Sequence, residues 1–277
     1  MIQIDHKNFT KGLLADYEKV WDEFIEQDNF ASQIDQRFLG RSKYYSAIEK
    51  YLYGFPIPKI LEIGCGTAID INLIASRNPQ WQCFGGDISQ KSITIGLRVR
   101  EIFGNSVKYL VCDTQTLPIQ DDSFDLVFSQ GLVEHFRNPE SIVAEHSRIL
   151  KNGGILIINV PQKFTGYTLM KTRRMRQRKW RLGWEAAFSC QDLKALAERL
   201  SLKEMEVFGY QYWQSWSEPT FVIRDLYEKL HRRNPLNGLA FFVLIKRAYD
   251  HLWQLLEKKW GHYFMQNIVI VLQKKAA

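Results

Sequence analysis

Between Lys59 and Val160 the chain repeats one pattern: a short apolar run, a turn, an amphipathic stretch of helical length, then another apolar run. The spacing predicts strands at Lys59–Ile63, Cys83–Asp87, Lys108–Cys112, Phe124–Phe128 and Gly154–Val160. Helices are expected at Ile69–Arg77, Ser89–Phe103 and Pro139–Leu150. Strands joined by a helix-length crossover lie parallel, with a right-handed connection. Apolar runs such as Phe124–Phe128 and Gly154–Val160 suit a sheet covered on both faces. This order implies an α/β fold built on a doubly wound, Rossmann-like sheet.

After Pro161 the rhythm breaks. Residues Gln162–Phe188 read as a basic, aromatic linker. A helix, Gln191–Leu202, and a strand, Lys203–Gly209, resume the alternation. A second insert, Tyr210–His262, reads as helical and aromatic before a last strand, Asn267–Gln273, expected to run antiparallel. At the other end, Leu13, Tyr17, Trp21, Phe24 and Ile25 recur every three or four residues among polar ones, a helical spacing. Three parts follow: a helical lid over 1–55, a core over 56–209 and 263–277 that includes a basic insert at 162–188, and a helical aromatic cap over 210–262.

With 277 residues, 45% of them apolar, the chain can bury a substantial core. Acidic residues stand where a secretory signal needs an apolar run, and the strongest apolar run, Leu239–Ile245, stops at Lys246-Arg247. No uncharged apolar stretch reaches the ~18 residues of a membrane span. Cys65, Cys83, Cys112 and Cys190 are scattered without a C-x-x-C pair, which argues against a zinc site or a disulfide framework. A reducing cytoplasm is therefore the expected location. The net charge of +7 is uneven: Met1–Pro161 holds 16 basic and 20 acidic residues, Gln162–Ala277 holds 21 and 10. Seven of the eleven residues from Lys171 to Arg181 are basic. Such a run is either a solvated face or a surface for phosphate, anionic lipid or nucleic acid.

The stretch from Lys59 to Asp70, KILEIGCGTAID, runs a strand straight into Gly64-x-Gly66 and then a helix. Glycines there allow backbone dihedrals that a side chain forbids and let a ligand approach closely. A dinucleotide fingerprint needs a third glycine where Ile69 stands. Glu62 lies two residues before the first glycine, and Asp87 closes the next strand, where it can accept from both hydroxyls of a ribose. Taken singly, either acid could instead cap a helix or solvate a loop.

In these motifs the sequence resembles the class I S-adenosylmethionine-dependent methyltransferases, in particular the type-11 domain typified by ubiquinone and menaquinone biosynthesis enzymes. The stretches that carry the resemblance are LEIGCGTA (61–68), GGDIS (85–89), CDTQTLPIQDDSFDLVFSQGLVEHF (112–136) and HSRILKNGGILIINVP (146–161). Ala68 departs from the pattern, standing where the family usually has its third glycine. The resemblance implies that S-adenosylmethionine is the cofactor and S-adenosylhomocysteine the product. It assigns Gly64 and Gly66 to the turn under the cofactor's amino-acid moiety, with Glu62 and Cys65 also among the cofactor-binding residues. Asp87 would hold the ribose, Ile88 the adenine face, Asp113 with Thr114 the adenine amino group, and Ser129 and Gln130 the path beside the sulfonium. His135, after the fourth strand, is the candidate base, with packing beside the cofactor as its alternative role. Some relatives bind a divalent metal through a Glu-Val-Ile-Glu-His segment; here Gly131 replaces the first acid, leaving Glu134 and His135, and no metal is expected. His146, in the following helix, is expected at the surface or in a cap.

Tyr210, Tyr212, Trp213 and Trp216, followed by Phe242, Ile245, Tyr249, Leu252, Leu256 and Trp260 at helical spacing, suit packing onto the core or a second subunit, a lipophilic acceptor pocket, or peripheral membrane contact. The leading functional expectation is methyl transfer to a small acceptor, aromatic or lipophilic, with an anionic group as one option in view of the basic run. Two alternatives stand beside it: an RNA methyltransferase using that run, and a noncatalytic cofactor-binding subunit. No Asn/Asp-Pro-Pro-Tyr-type signature follows the fourth strand, which argues against nucleic acid.

Overall fold

A computed structural model describes residues 41–180, 184–210, 251, 255, 259–263 and 265–275. Residues 1–40 of the expected lid and 211–250 of the expected cap lie outside the described residues. Helix α1 (Ser42–Leu52) precedes β1 (Lys59–Ile63), α2 (Ile69–Arg77), β2 (Gln82–Asp87), α3 (Gln90–Phe103), β3 (Lys108–Val111) and β4 (Phe124–Gln130). A short 3-10 turn, Val133–His135, leads to α4 (Pro139–Arg148), β5 (Leu150–Pro161), α5 (Gly166–Arg176), α6 (Cys190–Arg199), β6 (Lys203–Tyr210) and β7 (Asn267–Gln273).

The seven strands lie in the order β3-β2-β1-β4-β5-β7-β6. The pairings from β3 to β5 are parallel, while β7 runs antiparallel to both β5 and β6, as expected of the last strand. Side chains alternate across the sheet with period two. Ile155 and Ile157 of β5 and Val269 and Val271 of β7 face one layer, which also takes Tyr44, Tyr45, Ile48 and Leu52 of α1. Leu156 and Ile158, with Ile268, Ile270 and Leu272, face the other layer, with Leu193 and Leu196 of α6. Both faces of the central strands are thus dry, which accounts for their unbroken apolar runs.

Helix ends follow their chemistry. Ser89 caps α3 by accepting from Ser92 N, and Gly104 closes it in the left-handed region. Ser189 and Asp192 form a capping box on α6. Tyr44 of α1 stacks on Tyr210 of β6 with ring centroids 5.9 Å apart, and Arg41 and Tyr45 both bind Asp70 in the first turn of α2. The first helix is thereby fastened to the edge of the core over β1.

Two expectations need correction. Gln162–Phe188 is not a plain linker: Thr165 caps a helix, α5, by accepting from Thr168 N, and the helix runs to Arg176. Its alternating charged and polar residues give no apolar stripe to read, because Thr168 and Lys171 are the side chains it buries. His146 is fully buried in α4, with Nε2 2.8 Å from the hydroxyl of Thr114, where a surface position was expected.

The sheet edge carries one unforgiving contact. A Cβ on Gly209 of β6 would sit 2.1 Å from the carbonyl oxygen of Gly261, in the helical residues 259–263. That atom is backbone and cannot rotate away. Gly209→Ala should therefore destabilise the protein by at least about 1–3 kcal/mol, seen as a lower urea midpoint with the slope unchanged.

Candidate functional site

A cavity of about 630 Å³ opens at the C-terminal ends of the strands. This is where the strand order reverses: the chain moves outward from β1 to β3 on one side and from β4 to β5 on the other. Open α/β sheets form their ligand crevice at such a switch point. The wall comprises the turn after β1, Asp87 and Ile88 after β2, Cys112–Gln115 after β3, and Gln130 onward after β4. Pro161, Tyr167, Trp184, Glu185, Gln266 and Asn267 close the far side.

The glycine turn is held by three backbone donors. Gly64 N and Cys65 N both donate to the carbonyl of Gly86, at 2.8 and 3.1 Å, and Gly66 N donates to Asp87 Oδ2 at 2.8 Å. Gly64 sits at φ +69°, and a Cβ there would come within 2.9 Å of the Leu132 side chain. Gly66 sits at φ +51° with open space around it. Ala68 adopts φ +55° at the N-cap of α2, so alanine occupies the left-handed conformation that glycine takes more cheaply.

Asp87 is the best anchored acid. Oδ1 accepts from Ser89 N at 2.9 Å, Oδ2 from Gly66 N, and burial raises its pKa against those bonds. Glu62 is almost fully buried and accepts from Ile71 N at 3.0 Å, so it tethers the start of α2 while also facing the cavity. Asp113 lines the cavity, with Oδ1 taking Gln115 N at 2.9 Å, and Thr114 beside it is positioned by His146. Glu62, Gly64, Cys65, Gly66, Asp87, Ile88, Asp113, Thr114, Gln130 and His135 are all brought to one cavity. Ser129 is not. It lies one residue before the end of β4, fully buried, and stays out of the lining, because the period-two pleat turns it away from the rim that Gln130 reaches.

Past the turn after β4 the wall changes character. His135 lines the cavity and is held below its usual pKa by burial, so its imidazole is neutral at working pH. Glu134 is 2% exposed, and burial pushes its carboxyl up to about 8. Lys171, fully buried in α5, donates to Glu185 Oε2 at 2.8 Å, and Trp180 Nε1 donates to Glu185 Oε1 at 2.8 Å. The basic run is therefore divided: Lys171 is an internal counter-ion, while Arg173, Arg174 and Arg176 are exposed and outside the cavity wall. The Arg137 guanidinium covers the Trp184 ring at 3.8 Å. Tyr167, Trp184 and Glu185 were not singled out from sequence, for they follow the point where the alternation fails. Arg41, also in the wall, lacked a motif to mark it, and Asp70, which closes the Lys59–Asp70 stretch, was given no role.

His146 makes the site acid-sensitive from behind. Burial lowers its pKa to about 4, against ~6.5 for a free histidine. The unfolded chain then binds a proton that the folded chain refuses, so stability falls as pH drops from the unfolded value through the folded one. That difference is worth about 3 kcal/mol. In His146→Gln the melting temperature should decline less steeply between pH 6.5 and 4 than in the parent protein; equal slopes would show that the imidazole is not the group responsible.

Comparison with known proteins bears on the same segment. Residues 61–158 match the family described as "Methyltransferase domain". A malonyl-[acyl-carrier protein] O-methyltransferase from Methylococcus capsulatus is 26% identical over 151 residues, 54% of this chain and 50% of that protein. A ubiquinone/menaquinone biosynthesis C-methyltransferase from Desulfotalea psychrophila is 29% identical over 96 residues, 35% of this chain and 38% of its own. The chain thus spans half or less of these relatives' length. The structure of magnesium protoporphyrin IX methyltransferase from Synechocystis PCC 6803, with bound SAH, shares the fold with a TM-score of 0.56 at 12% identity, over 90% of this chain and 89% of that one. Among the described residues no helix is long and apolar enough to cross a membrane. The matched segment supplies the glycine turn, the acids at the ends of β2 and β3 and the turn after β4, and over these residues the chain is similar to the methyltransferase-domain family.

Proposed function

We propose that this protein transfers the methyl group of S-adenosylmethionine to a small acceptor with an aromatic or lipophilic body. The observation that carries the reading is the single cavity that joins an anchored acid and a glycine turn at one end to an aromatic wall at the other. The residues fit the cofactor. Each oxygen of Asp87 already takes one backbone N–H, which fixes the carboxylate and leaves further lone pairs for the vicinal hydroxyls of a ribose. The floor at Gly66 is free of any side chain. Asp113 and Thr114 stand ready for an adenine edge, and Gln130 for the path toward the acceptor. When bound, the cofactor supplies an electrophilic methyl on a sulfonium whose departure needs no acid.

The protein's own part is alignment and exclusion of water, which can contribute ~7–11 kcal/mol. Leu132, Phe136 and Ile142 line the middle of the cavity, and Tyr167 and Trp184 its far end. His135, neutral and in the wall, takes the acceptor's proton as transfer proceeds. The exposed arginines of α5 lie outside the cavity and leave the acceptor's body to apolar contacts.

Calorimetry with S-adenosylhomocysteine tests the cofactor half: Asp87→Ala should weaken binding by about 1.5–3 kcal/mol while the protein stays folded. Unchanged affinity in a folded variant would remove the ribose assignment. For the acceptor half, His135→Ala should lower turnover by ~10²–10⁴ with little change in affinity for S-adenosylhomocysteine. A loss below ~10-fold, with the acid limb of the pH profile intact, would leave His135 a packing residue.

A further inference from the structure

The acceptor end of the cavity holds one buried acid too many. Lys171 and Glu185 neutralise each other at 2.8 Å, both screened from solvent. Glu134, in the same cluster, has no cation within ion-pair distance, and its Oε2 is buried without a hydrogen-bond partner among the described residues. Its Oε1 lies beneath Gly131, where a Cβ would stand 3.6 Å away, so no side chain covers the carboxyl from that direction. A buried polar atom without a partner costs stability, and its retention at a cavity wall points to a partner that arrives with a ligand. The cavity as a whole agrees in sign: its lining includes six acidic residues and two arginines, one of which is bound to Asp70 and the other stacked on Trp184.

From this geometry we infer that the acceptor is an amine carried on an aromatic or apolar body, and that Glu134 is the carboxylate that receives its ammonium group. The inference rests on the methyltransferase reading above and deepens it. Glu134 is met by Glu185, which disfavours its ionisation, and by Lys171, which favours it; burial outweighs both and keeps the carboxyl protonated in the empty site up to about pH 8. An arriving ammonium reverses the balance, so Glu134 ionises and its proton leaves to solvent. The bound state then has two cations and two carboxylates, each paired. In the transfer step the nitrogen gives one proton to neutral His135 and its lone pair to the methyl carbon. The carbon–sulfur bond breaks with its electrons left on sulfur. The methylated ammonium remains opposite Glu134, and His135 returns its proton to solvent. Tyr167, Trp184 and Phe136 supply the walls for the body of the molecule.

The distinguishing signature is proton release on binding, which a purely structural Glu134 would not produce. Calorimetry at pH 7, in buffers of different ionisation enthalpy and with S-adenosylhomocysteine present, should compare tryptamine with 3-propylindole and 2-phenylethylamine with propylbenzene. Each amine should bind about tenfold tighter than its neutral isostere or better, and release close to one proton. Glu134→Gln should lose both the preference and the proton while keeping affinity for S-adenosylhomocysteine. Amines that bind no tighter than their isosteres, or a Glu134→Gln protein that releases as many protons, would overturn the inference. The S-adenosylhomocysteine titration of the parent protein reports separately on the methyltransferase reading: if it binds and the amines do not, only the acceptor assignment falls.

Discussion

Two amide protons, from Gly64 and Cys65, converge on the carbonyl of Gly86, and the next free amide, Gly66, turns to the carboxylate of Asp87. These bonds knot the end of β1 to the end of β2 at the point where the sheet changes direction. Without them the chain leaving β1 would have no fixed path into α2. The cavity floor would then be a mobile loop, and Asp87 would lose the donor that orients it. The rest of the site is hung from this knot: Glu62 reaches from inside it to Ile71, and Leu132 packs against Gly64 from across the crevice.

The two ends of the cavity handle charge differently. Near the knot, acids are oriented by backbone amides, an arrangement that suits a polar ligand of fixed shape. At the far end a poorly solvated cluster holds two acids and one lysine: Glu185 is paired with Lys171, while protonation keeps Glu134 uncharged. A low-dielectric cluster of this kind responds strongly to any ion that enters it.

Much of this was legible from residues alone where local chemistry and global fold agree. The strands from Lys59 to Val160 were readable because burial on both faces demands unbroken apolar runs, and the glycine turn because only a few residue types tolerate its dihedrals. The last strand, Asn267–Gln273, lay within its expected bounds. Legibility failed where a side chain's role depends on a partner distant in sequence. Lys171 sits in a run of cations and looks solvated, yet Glu185 makes it internal. His146 has the charged neighbours of a surface residue, yet Thr114 receives it. Ser129 and Gln130 are adjacent in a motif, but the pleat sends only one to the rim. The helix α5 was hidden by a composition suited to solvent on nearly every face.

The pairing of Tyr210 with Asn267 places the end of β6 and the start of β7 side by side at the same rim of the sheet as the cavity. The whole excursion from residue 211 to 266 therefore departs and returns through one doorway, without interrupting any ladder bond of the strands that hold the cofactor end. The excursion returns through residues that pack on β6 at Gly209 and line the cavity at Gln266, so a change in its length would leave the knot at β1 and β2 untouched.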